Sequence, residues 1–185
     1  MPVRKIIRMG HPTLRSPAKT VPENSIGSSN IACLIQDMIE TLHDYGGIGL
    51  AAPQINEPTR IAIIDIPEGA SRYGKLQEIP LCVFINPKLT VLGKKVAGYW
   101  EGCLSVPGLR GFVERPQHIR VDYLDLKGKP QRKEMTGFTA TVIQHEFDHL
   151  DGHLYLDHIT DPKLLMFEDE YERYILSERP EKTSD

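Results

Sequence analysis

The chain has 185 residues, of which 40% are hydrophobic and 25% charged, the proportions of an ordinary globular protein. That length suits one catalytic-size domain over 1–185, with a single substantial core. A net charge of −3 at pH 7 gives no support for a broad nucleic-acid surface, so no specific nucleic-acid site is expected. Basic residues do cluster at Arg4, Lys5 and Arg8, but no signal-type apolar run follows them and no stretch is apolar enough to span a membrane. Internal repeats and low-complexity segments are absent.

The three cysteines are Cys33, Cys82 and Cys103. An odd, sparse set without a close pair argues against a disulfide framework and for a reducing compartment. Cys33 lies in a helix-like run and Cys82 in a strand-like run, so both read as buried structural thiols.

Residues 1–28 read as an arm laid over the domain. From Ile31 to His43, apolar residues at Ile31, Leu34, Ile35, Met38 and Leu42 form a helical stripe, with Ser29 or Asn30 as its cap. The glycine-rich Gly46–Gln54 follows as a tight loop; no Lys-Ser/Thr pair makes it a phosphate loop. Arg60–Ile66 and Leu81–Asn86 read as strands, with a polar loop from Pro67 to Pro80 between them and Pro87 ending the second. Leu89–Trp100 suggests a strand or hairpin about Gly93. Glu101–Gly108 looks too rich in Gly and Pro to be regular. Phe112–Glu114, His118–Leu124 and Gln131–Met135 read as further strands, with a turn at Gly128. A largely apolar helix follows, from a Thr136 cap to a stop at Gly152. Asp161-Pro162 has the form of a cap and first helical residue, opening an amphipathic helix to about Leu176 before a polar tail, 177–185. The order predicts an α+β fold: mostly antiparallel strands around a central helix, with a C-terminal helix.

The chemistry concentrates in Gln144–Gly152, QHEFDHLDG. Residues four apart share a helix face, so His145 and His149 can reach one metal ion, and Glu146 stands where it can take a proton from water on that metal. Two histidines need at least one more ligand. The extended pattern HExxHxxGxxH has its glycine at Gly152, but Tyr155 fills the final position and His153 falls two residues early. Glu168, Glu170 or Glu172 on the last helix would serve a metallopeptidase, and Cys103 offers a thiolate from a constrained loop.

Three separated stretches, GIGLAAPQ at 47–54, EGCLS at 101–105 and QHEFDHLDG at 144–152, resemble the three signature motifs of the peptide deformylases of bacterial type, in the family's order. RMGHPTLR at 8–15 and INP at 85–87 are also similar to that family. The resemblance implies a metal held by Cys103, His145 and His149, with water in a fourth position. It implies Fe²⁺ as the resident ion, with Zn²⁺, Ni²⁺ or Co²⁺ able to substitute, whereas the spacing alone would suggest zinc. The implied reaction removes the N-formyl group from the N-terminal formylmethionine of new polypeptides. Glu146 would act as base, with Gln54 and the Leu104 N–H stabilising the oxyanion. Gly49 would let the peptide approach, and Arg110 would meet it further out. Ile48, Tyr99, Phe138, Thr141 and Val142 are expected to line the methionine pocket, and a Glu101–Arg115 ion pair to hold the Cys103 loop. N-formylmethionyl peptides are thus the expected partners, with transient ribosome contact, in the bacterial cytoplasm.

Overall fold

The computed structural model describes residues 2–67 and 79–177. The loop expected at 67–80 and the tail expected at 177–185 fall almost wholly outside these residues. After the arm come α1 (Ser29–Tyr45), β1 (Gly49–Ala51), β2 (Ile61–Ile66), β3 (Ile79–Val91), β4 (Val96–Cys103), β5 (Val106–Pro116), β6 (His118–Leu124), β7 (Pro130–Thr136) and α2 (Gly137–Leu150). β8 (Leu165–Phe167) and α3 (Glu168–Tyr171) close the chain, α3 continuing as a wider helical turn to Leu176. Five strands form an antiparallel sheet in the order β1-β2-β3-β6-β7, and three form a second, β4-β5-β8. The expected α+β fold is the one observed.

The first sheet is sandwiched between the two long helices, and β2 shows why. Its sequence IAIIDI is apolar almost throughout because both faces are covered. Alternation sends Ala62, Ile64 and Ile66 toward α2, where they meet Val142, Ile143, Phe147 and Leu150. Ile61 and Ile63 go to the other side, against Met38 and Leu42 of α1. Each such isoleucine, fully buried, contributes about 1.5–3 kcal/mol. α2 is therefore enclosed on nearly every side, and its polar residues Thr141, Gln144, His145, Glu146 and His149 are buried with the apolar ones.

Several elements differ from the expectation. Ser28, not Ser29 or Asn30, caps α1, its Oγ accepting from the Ile31 N–H. Cys33 lies opposite the apolar stripe and is exposed, and Cys82 is half-buried, so neither is a core thiol. Gly49–Ala51 is a strand, not part of a loop. β3 does not end at Pro87: it passes through a bulge between Ile85 and Lys88, where Asn86 turns to φ +51°. The Asn86 side chain exchanges two 2.8 Å hydrogen bonds with the Val21 backbone, tying the arm to the bulge. Glu101–Gly108 is regular after all, the turn of a hairpin in which Cys103 faces Val106. Asp161 does cap Lys163, but that turn ends at Leu164, since Leu165 and Met166 pair with Gly111 and Arg110 of β5. The last helical run therefore starts at Glu168. Among the described residues no helix is long and apolar enough to cross a membrane.

Candidate active site

Three pieces of backbone converge. The end of β4 carries Cys103, α2 carries His145 and His149, and the turn after β1 carries Gln54. One ligand atom each from Cys103, His145 and His149 lie within 4.8 Å of one another. Cys103 Sγ stands 3.3 Å from His149 Nε2. A sulfur and a nitrogen sharing a tetrahedral metal at ordinary bond lengths stand about 3.6 Å apart, so the donor set fits a metal ion. Burial pushes the Cys103 thiol up, but the charge of His149 and hydrogen bonds to both histidines bring it down to about 5. The thiolate, the form that ligates metal, is thus favoured at neutral pH.

His145 Nδ1 lies 2.7 Å from Glu101 Oε2, which leaves Nε2 for a metal. Burial opposes the imidazolium, but hydrogen bonds to Cys103 and Glu101 raise His145 well above its ordinary value. Glu101 is gripped by Arg115, whose Nε and Nη2 donate at 2.6 and 3.0 Å. The expected Glu101–Arg115 pair is therefore formed, and it is 6% and 4% exposed, not solvated. Arg115 Nη1 also donates to Asp148 Oδ2 at 2.8 Å, and His158 Nε2 lies 2.9 Å from the same oxygen. Asp148 and His158 were not foreseen; Asp148 sits inside the motif, one residue before His149. Tyr155, found where the extended protease pattern would put a third histidine, stacks its ring on His145 at 5.9 Å.

Glu146 is buried, its Oε2 has no hydrogen-bond partner, and burial raises its carboxyl to about 7 against the opposing charges of the two histidines. Such a group can take and return a proton near neutrality. Gln54 is held by its own turn: Oε1 accepts from the Ala51 N–H at 2.8 Å, and Nε2 reaches Ser105 Oγ at 3.3 Å and Cys103 Sγ at 3.5 Å. Leu104 forms the hairpin turn beside them.

The site opens into a groove of about 830 Å³. Ile48, Gly49, Phe138, Thr141, Val142, Arg110 and Leu104 all line it. Tyr99 does not: its ring meets Phe138 edge-on at 5.2 Å and so backs the wall without forming it. Trp100 is on the wall, against Phe112 and Tyr171. Arg110 donates from Nε and Nη2 to Glu168 Oε1 at 3.2 and 2.5 Å. That engagement removes Glu168 as a third metal ligand. Glu170 and Glu172 are likewise outside the donor cluster, which among the described residues holds only Cys103, His145 and His149.

Residues 3–164 match the family model for polypeptide deformylase. The chain belongs to the polypeptide deformylase family. It is 46% identical over 159 residues to peptide deformylase 2 of Pseudomonas syringae, covering 86% of this chain and 88% of that protein. With the peptide deformylase of Leptospira biflexa it shares 40% identity over 170 residues, 92% of this chain and 95% of the relative. The fold agrees: a class I type b peptide deformylase from Acinetobacter baumannii, solved with Met-Ala-Ser bound, superposes with a TM-score of 0.82 at 34% identity, over 85% of this chain and 99% of that one. Members of this family are hydrolases that remove N-formyl groups from nascent peptides, and the present chain is such an enzyme, with a candidate metal site at Cys103, His145 and His149.

Proposed function

We propose that the enzyme hydrolyses the formamide of N-formylmethionyl peptides with a metal held by Cys103, His145 and His149 and with Glu146 as general base. The observation that carries this reading is the clustering of three soft and borderline donors within 4.8 Å beside a buried carboxyl oxygen that has no partner. Fe²⁺ is the ion proposed, after the family; Zn²⁺, Ni²⁺ and Co²⁺ suit the same donors. An ion bound there supplies Lewis acidity to water and to the formyl oxygen.

The residues do the rest. Glu146 takes a proton from the attacking water and passes it to the leaving amine, so formamide and water become formate and a free N-terminus. Gln54 Nε2 and the Leu104 N–H are aimed at the formyl oxygen as it becomes an oxyanion. The contacts Gln54 Nε2 makes, 3.3 and 3.5 Å, are long enough to be exchanged for a better acceptor. Ile48, Phe138, Thr141 and Val142 take the methionine side chain, with Tyr99 behind Phe138. Among the described residues β1 is an edge strand paired only with β2, so the peptide backbone can add beside Gly49 as a further strand. Arg110, anchored by Glu168, meets the peptide beyond the methionine. The substrate implies a bacterial cytoplasmic enzyme that meets the ribosome transiently.

Glu146→Gln tests the assignment of the base. Metal content and formate release are measured on one preparation. Retained metal with formate release reduced at least about 10²-fold supports the reading; wild-type release refutes it.

A further inference from the structure

The groove extends beyond the methionine pocket to the N-terminal arm, whose Lys5 and Arg8 line its outer wall and are exposed. The arm is not a loose tail. The Ile7 N–H donates to the Gln54 carbonyl at 2.9 Å and the Met9 N–H to the Ser105 carbonyl at 2.8 Å. Ile6 is buried in the core. Arg4 donates to Asp37 at 3.1 Å and to Glu57 at 2.7 Å. The two cations are thus presented from backbone hydrogen-bonded to the motifs that build the site.

Among the described residues their charge is uncompensated, unlike that of the other charged side chains lining the groove. Arg110 is neutralised by Glu168, and Arg4, which does not line the groove, is paired with two carboxylates. Glu101 is spent on Arg115 and His145, and Glu146 lies at the buried inner end. His11 uses Nδ1 to accept from the Thr13 N–H. Among the described residues neither Lys5 nor Arg8 forms an ion pair. Two unpaired positive charges, Lys5 and Arg8, therefore line the groove, although the whole chain carries −3. Local field, not net charge, governs what a cleft attracts.

Accepting that the groove binds formylated peptides, a peptide with its methionine in the inner pocket advances about 3.3 Å per residue along the open edge of β1. We infer that the enzyme selects formylmethionyl peptides carrying Asp or Glu at the second to fourth residues after methionine, with Lys5 and Arg8 as the recognising groups. Each exposed pair supports roughly a two- to fivefold preference, and salt screens it.

The test compares formyl-Met-Ala-Asp-Asp, formyl-Met-Ala-Ser-Ser and formyl-Met-Ala-Lys-Lys, all amidated at the C-terminus. kcat/KM for formate release is measured with wild type and with Lys5→Ala/Arg8→Ala, at low and high ionic strength. The expected Asp-to-Lys ratio is about tenfold for wild type at low salt, and falls toward one in the double variant and at high salt. Ratios are taken within one preparation, so a lower yield of active variant cancels. A wild-type ratio near one, or a ratio the double variant leaves intact, overturns the inference. No formate from any of the three peptides would overturn the deformylase reading itself, and the inference with it.

Discussion

Gly49 and Glu146 occupy one space. A β-carbon on Gly49 would stand 2.5 Å from Glu146 Oε1 and 2.7 Å from its Cγ. The absent side chain was expected to make room for substrate; it first makes room for the carboxylate. Gly49→Ala should therefore push Glu146 off its position and lower kcat about 10²-fold or more, while the metal, held by other residues, stays bound. Steady-state kinetics with a metal assay checks this. A variant with unchanged kcat would show that Glu146 tolerates displacement.

Arg115 is the only cation that touches both Glu101 and Asp148 among the described residues. Arg115→Ala leaves two carboxylates in the interior without it, and losing one partner of a buried pair costs roughly 3–5 kcal/mol. The melting temperature should fall sharply, and metal should leave faster because Glu101 no longer fixes the His145 ring. A thermal melt and a chelator-competition rate measure the two effects.

Removal of the metal should abolish formate release, and added Fe²⁺ under argon should restore it. A low-pKa thiolate beside ferrous iron is open to oxidation, so the iron form should lose activity faster in air than under argon. Equal half-lives would contradict that.

Val142 lines the groove one turn of α2 before His145 and Glu146 and is 6% exposed. Val142→Asp puts a carboxylate into the apolar end of the groove. The preference for formyl-Met over formyl-Ala peptides should drop at least about tenfold, by loss of apolar burial. An unchanged preference would remove Val142 from the methionine pocket.

Gly152 closes α2 at φ +79°, and a β-carbon there would meet the Arg15 backbone at 2.9 Å. Gly152→Ala should cost about 2 kcal/mol or more, lowering Tm without altering kcat per folded molecule.

These sites also show what was legible in the sequence. The α1 stripe, the apolar run of β2 and the His145–Glu146–His149 spacing follow local periodicity, and each was found where expected. The outer parts of β4 and β5 were read as strands, but their joining stretch from Glu101 to Gly111 was not legible, because the hairpin carries Gly98, Gly102 and Gly111 for tertiary reasons. The Phe112 ring, the Arg110 guanidinium, and Tyr155 with Ile159 pass over them, each closer than 3.0 Å to where a β-carbon would be. β8 is three residues long and exists only through its pairing with β5, so the cap at Asp161 was a true signal for a much shorter turn. Cys103 could not be chosen over the downstream glutamates from spacing; the fold brings it to the histidines and gives Glu168 to Arg110. Tyr99 precedes a motif in sequence but, one strand position away, its ring faces Phe138 and Gln117.

The most direct test is formate release from formyl-Met-Ala-Ser by enzyme purified without oxygen, run beside acetyl-Met-Ala-Ser. The account predicts rapid release from the formyl peptide, no product from the acetyl one and no internal cleavage of either. Cleavage within the peptides, or no formate from metal-loaded protein, would contradict it.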